Sequence, residues 1–269
     1  MPGENYQISG NAAEIYEAQK VPAIFAPLAK KTLETVQLGP QDILLDVACG
    51  TGIVARTARQ RFGPGPRIVG TDLNEGMIAT ARGLAGDDAR TCEWHVADVT
   101  ALPFPDATFS VAICQQGIQF FPDREGALRE IHRVMQPGGR ILISVWAGTS
   151  EFFTALAAAL GRIISAEVGE RSLAPFAFDD LDGVVSICLD LRCVDVSTTG
   201  ITIDRVIDDP QVAIPKEIFA NPVGPAVQAA GDAAMREIVT ETMEALSAFR
   251  HGSGLLVPQH AHLVQATAR

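Results

Sequence analysis

The stretch that decides the fold is Asp46-Val47-Ala48-Cys49-Gly50-Thr51-Gly52. It ends the apolar run 43–47, which is typical of a strand buried on both faces, and it precedes a helix predicted over about 53–62. Glycines at such a turn let the backbone approach a ligand and expose N–H groups at a helix N-terminus. Because a GxG turn also occurs for packing alone, the rest of the chain must support a functional interpretation.

Strands and helices alternate on the C-terminal side of this loop. Further strands are predicted at 67–70, 92–96, 109–114 and 140–146, with a helix after the second strand through Met77, Ile78 and Ala81. An amphipathic helix, with Leu128, Ile131, Val134 and Met135 on one face, is expected to stop at Pro137-Gly138-Gly139. This alternation predicts an α/β fold, a Rossmann-like doubly wound parallel sheet with right-handed crossovers.

The two ends of the chain show a different pattern. Asn11 and Glu14 resemble a capping box, and two N-terminal helices separated at Val21-Pro22 are predicted up to about Val36. After the core, the pattern predicts a helix over 151–166, a sixth strand near 191–197 and a last strand over 255–266. The segment 203–254, which is rich in proline and holds a helix over about 226–249, is interpreted as an insertion before that last strand.

Composition narrows the possible partners and locations. The chain has 269 residues, a formal charge of −11 and 47% hydrophobic residues, which suits one globular domain. No cluster of Lys and Arg is available for a nucleic-acid backbone, and no N-terminal signal or membrane-length apolar run is visible. Five separated cysteines without a CxxC pair predict reduced thiols and no metal site. We therefore expect a cytoplasmic protein that binds a small molecule, without nucleic-acid or membrane partners.

The glycine loop fits two cofactors. Gly50-Thr51-Gly52-Ile53-Val54-Ala55 satisfies the dinucleotide fingerprint, and Asp72 lies 20 residues past Gly52, where a ribose-binding acid belongs. Asp46 argues against a dinucleotide, because a carboxylate beside a pyrophosphate would repel it. S-adenosylmethionine (SAM) carries an ammonium and a sulfonium as well as a carboxylate, so a nearby acid is tolerated. Asp46 therefore favours SAM.

Two more acids strengthen this interpretation. Asp72 ends the second strand, where its carboxylate could accept hydrogen bonds from both ribose hydroxyls, and Asp98 follows the third strand, where it could accept one from an adenine amino group. Acids at the ends of three parallel strands meet at the carboxyl edge of the sheet, where ligands bind in such folds.

These motifs resemble those of the class I SAM-dependent methyltransferases, and most closely the ubiquinone/menaquinone-biosynthesis C-methyltransferase-like branch. The matching segments are DVACGTG (46–52), GTDLNEGM (70–77), ADVTALPF (97–104) and LREIHRVMQPGGRILIS (128–144), within about 38–146. The resemblance implies a seven-stranded sheet whose last strand is antiparallel and lies beside the sixth. It also implies a helical lid over 1–38, a cofactor-binding core over 39–146 and a substrate-side cap over 203–254.

The resemblance also assigns roles to positions of this chain. Asp46, Ala48, Gly50, Thr51 and Gly52 would surround the methionyl part of the cofactor, and Asp72 would hold the ribose. Leu73, Met77 and Val99 would enclose adenine, with Asp98 at its amino group, and Gln115 would lie near the sulfonium. An N-terminal tyrosine would cover the cofactor, with Tyr16 preferred over Tyr6.

The acceptor and any catalytic base stay open. Residues 114–122 depart from the quinone-methylating pattern, so a quinone precursor is not favoured. No base is assigned: His132 is expected on a helix surface, His95 packed or exposed in the third strand, and His251 in a turn. His260 and His262 should share one face of the last strand. We thus expect a methyltransferase acting on oxygen, nitrogen or carbon, with S-adenosylhomocysteine as product. An NAD-dependent oxidoreductase and a non-catalytic SAM-binding module are the alternatives.

Overall fold

The structure, a computed structural model, describes residues 12–85 and 92–269. Asn11 and Tyr6 lie outside these residues. The strands found within them are β1 Ile43–Val47, β2 Arg67–Asp72, β3 Glu93–Val96, β4 Phe109–Gln115, β5 Met135–Trp146, β6 Val194–Ile207, β7 Arg250–His251 and β8 Gly254–Thr267. They form one sheet in the order β3-β2-β1-β4-β5-β8-β6, with β7 paired to β8.

The sheet confirms the predicted topology. Strands β1 to β5 pair in parallel, and β8 lies antiparallel between β5 and β6. The two-residue strand β7 is an addition to the expected seven strands. Because β1 and β4 are central, the loops after them and after the neighbouring β2 open on one sheet edge, as expected for a ligand site.

Helices cover both faces of the sheet. They are α1 Ala12–Lys20, α2 Ala26–Glu34, α3 Ile53–Phe62, α4 Glu75–Ala85, α5 Arg124–Val134, α6 Glu151–Ile163, α7 Ala166–Ser172, α8 Leu181–Asp190, α9 Pro210–Phe219 and α10 Gly224–Ala245. One apolar layer joins the sheet to α2, α3, α4, α6, α9 and α10, and the other joins it to α5 and α8. Alternate residues of β1, such as Leu44 and Leu45, enter opposite layers. None of the helices in the described part of the chain has the length and apolar composition needed to span a membrane.

The interruption of the helix that was predicted at Val21-Pro22 is wrong. The chain stays helical, and Val21–Phe25 is a π-helical segment between α1 and α2, in which the Ala26 N–H donates to the Val21 carbonyl. A wider turn accommodates a proline because it rearranges the hydrogen bonds that the missing N–H would disturb. The N-terminal segment is therefore one bent helical arm.

The boundary between α5 and β5 is also corrected. The helix ends at Val134, so Met135 belongs to β5 and pairs with Phe109. The register then shifts, and Val111 pairs with Arg140. Pro137-Gly138-Gly139 is thus an irregular stretch of strand, in which Gly138 has a φ of 82°, and is not the stop signal of the helix.

The C-terminal elements differ most from expectation. Strand β6 runs to Ile207, ten residues beyond the predicted end of the sixth strand, and the predicted insertion at 203 begins inside it. The helix expected over 151–166 ends at Ile163, and α7 follows it. The inserted helices are α9 and α10, and α10 kinks at Gly231, whose φ is 83°.

Asp46 anchors α3 to β1. Its side chain is 1% exposed, and its Oδ2 accepts a 3.0 Å hydrogen bond from the Ala55 N–H in the first turn of the helix. Burial raises the pKa of Asp46 to about 8, although the hydrogen bond from Ala55 lowers it. The carboxyl group is therefore largely protonated at neutral pH.

Gly70 is required for the packing of Trp94. A Cβ at Gly70 in β2 would lie 2.5 Å from two ring atoms of Trp94 and 3.1 Å from Cys49 Sγ. We expect Gly70→Ala to lower the free energy of unfolding by about 1–3 kcal/mol, because overpacking displaces the indole. The matched control is Gly200→Ala, because a Cβ at this β6 glycine meets nothing within 4 Å. Equal stability of the two variants in urea unfolding would contradict this packing.

Asp46→Asn tests the buried carboxyl group. The folded chain retains a proton on Asp46 up to about pH 8, whereas the unfolded chain releases it near the ordinary value of 3.8. The free energy of unfolding should therefore fall as the pH rises between these values, by at most about 1.4 kcal/mol per pH unit from this group. Asn cannot ionise but can still accept the Ala55 N–H, so the variant should lose this part of the slope in urea unfolding. Asp106→Asn, at an exposed acid, is the control; a wild-type slope in Asp46→Asn would contradict the assignment.

Candidate functional site

The glycine loop folds into a tight backbone turn at the carboxyl edge. Ala48, Gly50 and Gly52 have φ values of 52°, 55° and 82°, so left-handed residues alternate along the loop. Gly52 caps α3, and a Cβ there would lie 2.1 Å from the Trp94 ring. Thr51 is buried, and Cys49 N–H donates to the Thr71 carbonyl of β2 at 2.9 Å. Backbone N–H groups are thus concentrated at one place, as nests that bind polar ligands require.

Asp72 connects this loop to the end of β2. Its Oδ2 accepts from the Gly50 N–H and its Oδ1 from the Asn74 N–H, both at 2.8 Å. Burial raises the pKa of Asp72, although both backbone hydrogen bonds lower it. Because each carboxylate oxygen has two lone pairs, Asp72 retains acceptor capacity beyond these bonds.

Asp46 occupies a different position from the one assumed in the charge argument. Its carboxyl group lies beneath the loop, bonded to α3, and its raised pKa leaves it largely uncharged at neutral pH. This protonation weakens the repulsion of a diphosphate on which the preference for SAM relied. The contribution of Asp46 to the site is the placement of the helix N-terminus.

The residues expected around adenine follow β2 and β3. Leu73 is 60% exposed, Met77 is buried at 8%, Val99 is half-buried and Asp98 is exposed. Asp98 Oδ1 accepts from the Thr100 N–H and hydroxyl, both at 2.8 Å, which fixes its orientation. The two strand ends are tied by the Ala97 N–H, which donates to the Asp72 carbonyl at 3.0 Å.

The N-terminal arm lies on the glycine loop. The Tyr16 ring is 3.8 Å from the position of a Cβ on Gly50, and it stacks on Phe25 with ring centroids 5.2 Å apart. Glu17 accepts from the Thr51 hydroxyl at 2.5 Å and pairs with Arg56 of α3 at 2.7 Å. Tyr16 is expected at this place from the sequence, whereas Glu17 is not, because nothing in the sequence distinguishes it from Glu14 of α1.

Gln115 joins β4 to the same arm. It is 9% exposed, and its Nε2 donates to the Phe25 carbonyl at 3.1 Å. Its Oε1 is buried without a hydrogen-bond partner in the described part of the chain. This oxygen is free to accept from a ligand.

A cavity of about 380 Å³ lies at the carboxyl end of β5. Its walls include Trp146, Phe176, Asp179 and His262. Trp146 also faces Phe25, with ring centroids 6.1 Å apart, so the cavity wall contacts the arm that covers the glycine loop.

Of the histidines, His262 is the one that lines this cavity. His260 is exposed and contacts the Thr202 hydroxyl at 2.9 Å, and His251 is exposed in β7. His95 packs edge-on against Phe104 with centroids 5.3 Å apart. The surface position expected for His132 is wrong, because this residue is half-buried and burial lowers its pKa.

Comparisons with known proteins agree with this geometry. Residues 45–143 match the family described as "Methyltransferase domain". The ubiquinone/menaquinone biosynthesis C-methyltransferase UbiE of Methylobacterium nodulans is 43% identical over 100 residues, 37% of this chain and 40% of that protein. Nocamycin O-methyltransferase of Saccharothrix syringae is 36% identical over 130 residues, 48% of this chain and 46% of that protein. The chain thus spans about two fifths to one half of the length of these relatives.

Solved structures show the same fold over most of the chain. Phosphoethanolamine N-methyltransferase 2 of Haemonchus contortus, solved in complex with SAM, superposes with a TM-score of 0.62 and 18% identity, covering 98% of this chain and 58% of that one. The YcgJ protein of Bacillus subtilis superposes with a TM-score of 0.56 and 18% identity, covering 90% and 97%. Residues 45–143 accordingly match a methyltransferase domain, and within the chain this part is similar to the UbiE methyltransferases.

Proposed function

We propose that this chain transfers the methyl group of SAM to the oxygen, nitrogen or carbon of a small-molecule acceptor and releases S-adenosylhomocysteine. The observation that carries the proposal is the Asp72 carboxylate, which receives the Gly50 N–H at the carboxyl edge while retaining free lone pairs. The relatives named as methyltransferases support the same reaction. An NAD-dependent oxidoreductase is not favoured by these relatives.

The residues present fit SAM. Asp72 would accept the ribose hydroxyls, and the exposed Leu73 offers an apolar surface that an adenine ring would cover together with Met77 and Val99. Asp98 would accept the adenine amino group. Ala48, Gly50, Thr51 and Gly52 would surround the methionyl group, Asp46 would fix the N-terminus of α3 beside it, and Gln115 Oε1 would lie near the sulfonium.

Two segments would complete the site. The arm over residues 1–38 would act as a lid, since Tyr16 and Glu17 already contact the glycine loop in the described part of it. The 203–254 segment would form the substrate-side cap. The acceptor would enter the cavity bounded by Trp146, Phe176 and His262.

Positioning would supply most of the rate. The bound cofactor would provide a methyl group already activated by a sulfonium. The lid and the aromatic wall of Phe25 and Trp146 would exclude water and hold the acceptor in line. A base is needed only if the acceptor must lose a proton, and His262 and Asp179 are the ionisable residues of the cavity wall available for that role.

Asp72→Ala tests the cofactor site. We expect the affinity for SAM and S-adenosylhomocysteine to fall more than about tenfold, because charge-assisted hydrogen bonds to the ribose are lost. Calorimetric titration measures this, with Asp106→Ala as the control acid outside the site. Unchanged affinity in Asp72→Ala would contradict the ribose role. Tighter binding of NADH than of SAM by the wild type would reject the proposed function.

Glu17→Ala tests the lid. The side chain joins α1 to Thr51 and Arg56, so its loss should increase amide hydrogen exchange in α1 and weaken SAM binding. Glu34→Ala, at an exposed acid at the end of α2, should leave both unchanged. If exchange in α1 is identical in the two variants, Glu17 does not hold the lid.

A further inference from the structure

A buried arginine interrupts an otherwise apolar face of β6. Ile201, Ile203, Arg205 and Ile207 alternate on one side of the strand and face the apolar layer that contains α6, α9 and α10. Arg205 is only 4% exposed. Arginine is almost never fully buried unless its charge is paired. The groups around Arg205 therefore indicate its role.

The guanidinium is held on three sides. Its Nη1 donates to Glu217 Oε2 of α9 at 3.2 Å, and its Cζ lies 4.8 Å from the ring centroids of both Phe152 and Phe153. Its Nε and Nη2 are buried and have no hydrogen-bond partner among residues 12–85 and 92–269. These two nitrogens form the edge of the guanidinium that donates two parallel hydrogen bonds to a carboxylate.

The surrounding charges do not balance. Lys20, in the last turn of α1, also pairs with Glu217, so two cations share one carboxylate. Burial alone would raise the pKa of Glu217, but Lys20 and Arg205 lower it below its usual value. Burial lowers the pKa of Lys20, although Glu217 raises it. With Lys20 protonated the cluster carries one net positive charge, and a buried uncompensated charge favours either loss of that proton or the binding of an anion.

Gln259 provides a second unsatisfied group on the same face of the sheet as Arg205. It is 1% exposed, and both its Oε1 and its Nε2 lack a partner in the described chain. In the β6–β8 pairing Gln259 is opposite Ile203 and Arg205 is opposite Val257, so Gln259 and Arg205 are diagonal neighbours on one face. Two adjacent buried polar side chains without partners are typical of a ligand site.

Aromatic side chains connect the cluster to the proposed acceptor cavity. Strand β5 ends at Trp146, whereas β6 and β8 remain paired as far as Ile207 and Leu255, so Arg205 lies beyond the carboxyl end of β5. The Phe153 ring, which covers Arg205, is 4.3 Å from the Phe176 ring, and Phe176 lines the cavity together with Trp146. An apolar molecule along these rings would present its far end to Arg205.

We propose that the methyl acceptor is an apolar carboxylic acid whose carboxylate binds the Nε–Nη2 edge of Arg205, with Gln259 as a further hydrogen-bonding partner. This inference rests on the proposed function for the identity of the ligand as the acceptor. The subsite itself follows from the unpaired guanidinium edge. Glu217 and Lys20 orient Arg205 and do not contact the acid.

Matched carboxylates and amides test the charge requirement. Benzoate and hexanoate are titrated against benzamide and hexanamide, at constant ionic strength and with the full chain saturated with S-adenosylhomocysteine. At least one acid should bind about tenfold or more tightly than its amide, because the amide cannot accept two charge-assisted hydrogen bonds. If neither acid exceeds its amide, the proposal is overturned.

Arg205→Met locates the binding. The variant should lose the preference for the acid while binding S-adenosylhomocysteine as the wild type does. Its fold should persist, since Lys20 still pairs with Glu217 and replacing a buried charge by an apolar side chain is commonly tolerated. Arg162→Met, at an exposed arginine of α6, should retain the preference. If the acid preference survives in Arg205→Met, the subsite lies elsewhere.

A second variant distinguishes the loss of acid binding from misfolding of Arg205→Met. Gln259→Leu fills the same volume without a charge change, and it should weaken acid binding severalfold without altering that of S-adenosylhomocysteine. Unchanged acid binding in both this variant and Arg205→Lys would also overturn the proposal. If the wild type binds the acid but not S-adenosylhomocysteine, and the acid binding is lost only in Arg205→Met, methyl transfer is rejected. The anion subsite at Arg205 is then still supported.

Discussion

Hydrogen bonds from the backbone of the glycine loop and α3 to two carboxyl groups hold the functional edge of this protein. Asp72 accepts from Gly50, and Asp46 accepts from Ala55 at the start of α3. Both groups are buried enough for their pKa values to rise, so each hydrogen bond is made at a cost in desolvation. The hydrogen bonds fix the loop in a conformation with alternating left-handed residues, which an unsupported loop would not maintain.

The N-terminal arm depends on this loop and joins it to the C-terminal elements. Tyr16, Glu17 and Lys20 lie within about one turn of α1 and contact, in order, Gly50, Thr51 and Glu217. The first two contacts are with the glycine loop and the third is with α9. A displacement of α1 would therefore disturb the glycine loop and α9 together. Because α1 contacts both elements, a change in the N-terminal arm or in α9 would affect the same cleft.

The central sheet could be predicted because its strands are buried on both faces. The uninterrupted apolar run of β1 and the glycines after it specify the strand, the turn and the helix locally. The predictions were wrong where a local sequence pattern is compatible with a second structure. Pro22 was accommodated by a wider helical turn, and Pro137 by an irregular strand. In β6 the polar run Ser197 to Gly200 concealed a strand that continues into an apolar alternation.

The site was predictable only in its local part. The acids at the ends of β1 and β2 could be read from motif spacing. The direction of the Asp46 side chain could not, because its partner Ala55 belongs to the following helix, α3. The ion pair of Lys20 with Glu217 joins residues 197 positions apart and leaves no local pattern. Arg205 did leave one, since a single charge among Ile201, Ile203 and Ile207 at period two indicates a buried ion. The signal was not recognised because the proline-rich segment 203–254 predicts an insertion and not a strand.

The neutral state of Asp46 changes the reason for preferring one cofactor over another. If this carboxyl group were ionised beside the loop, charge alone would select against a diphosphate. With a pKa of about 8 it exerts little repulsion at neutral pH, and selection must come from shape and from the residues after β2 and β3. There, the half-buried Asp72, the exposed Leu73 and the fixed Asp98 present a surface for a nucleoside. The loop by itself is compatible with more than one ligand, and the neighbouring strand ends provide the discrimination.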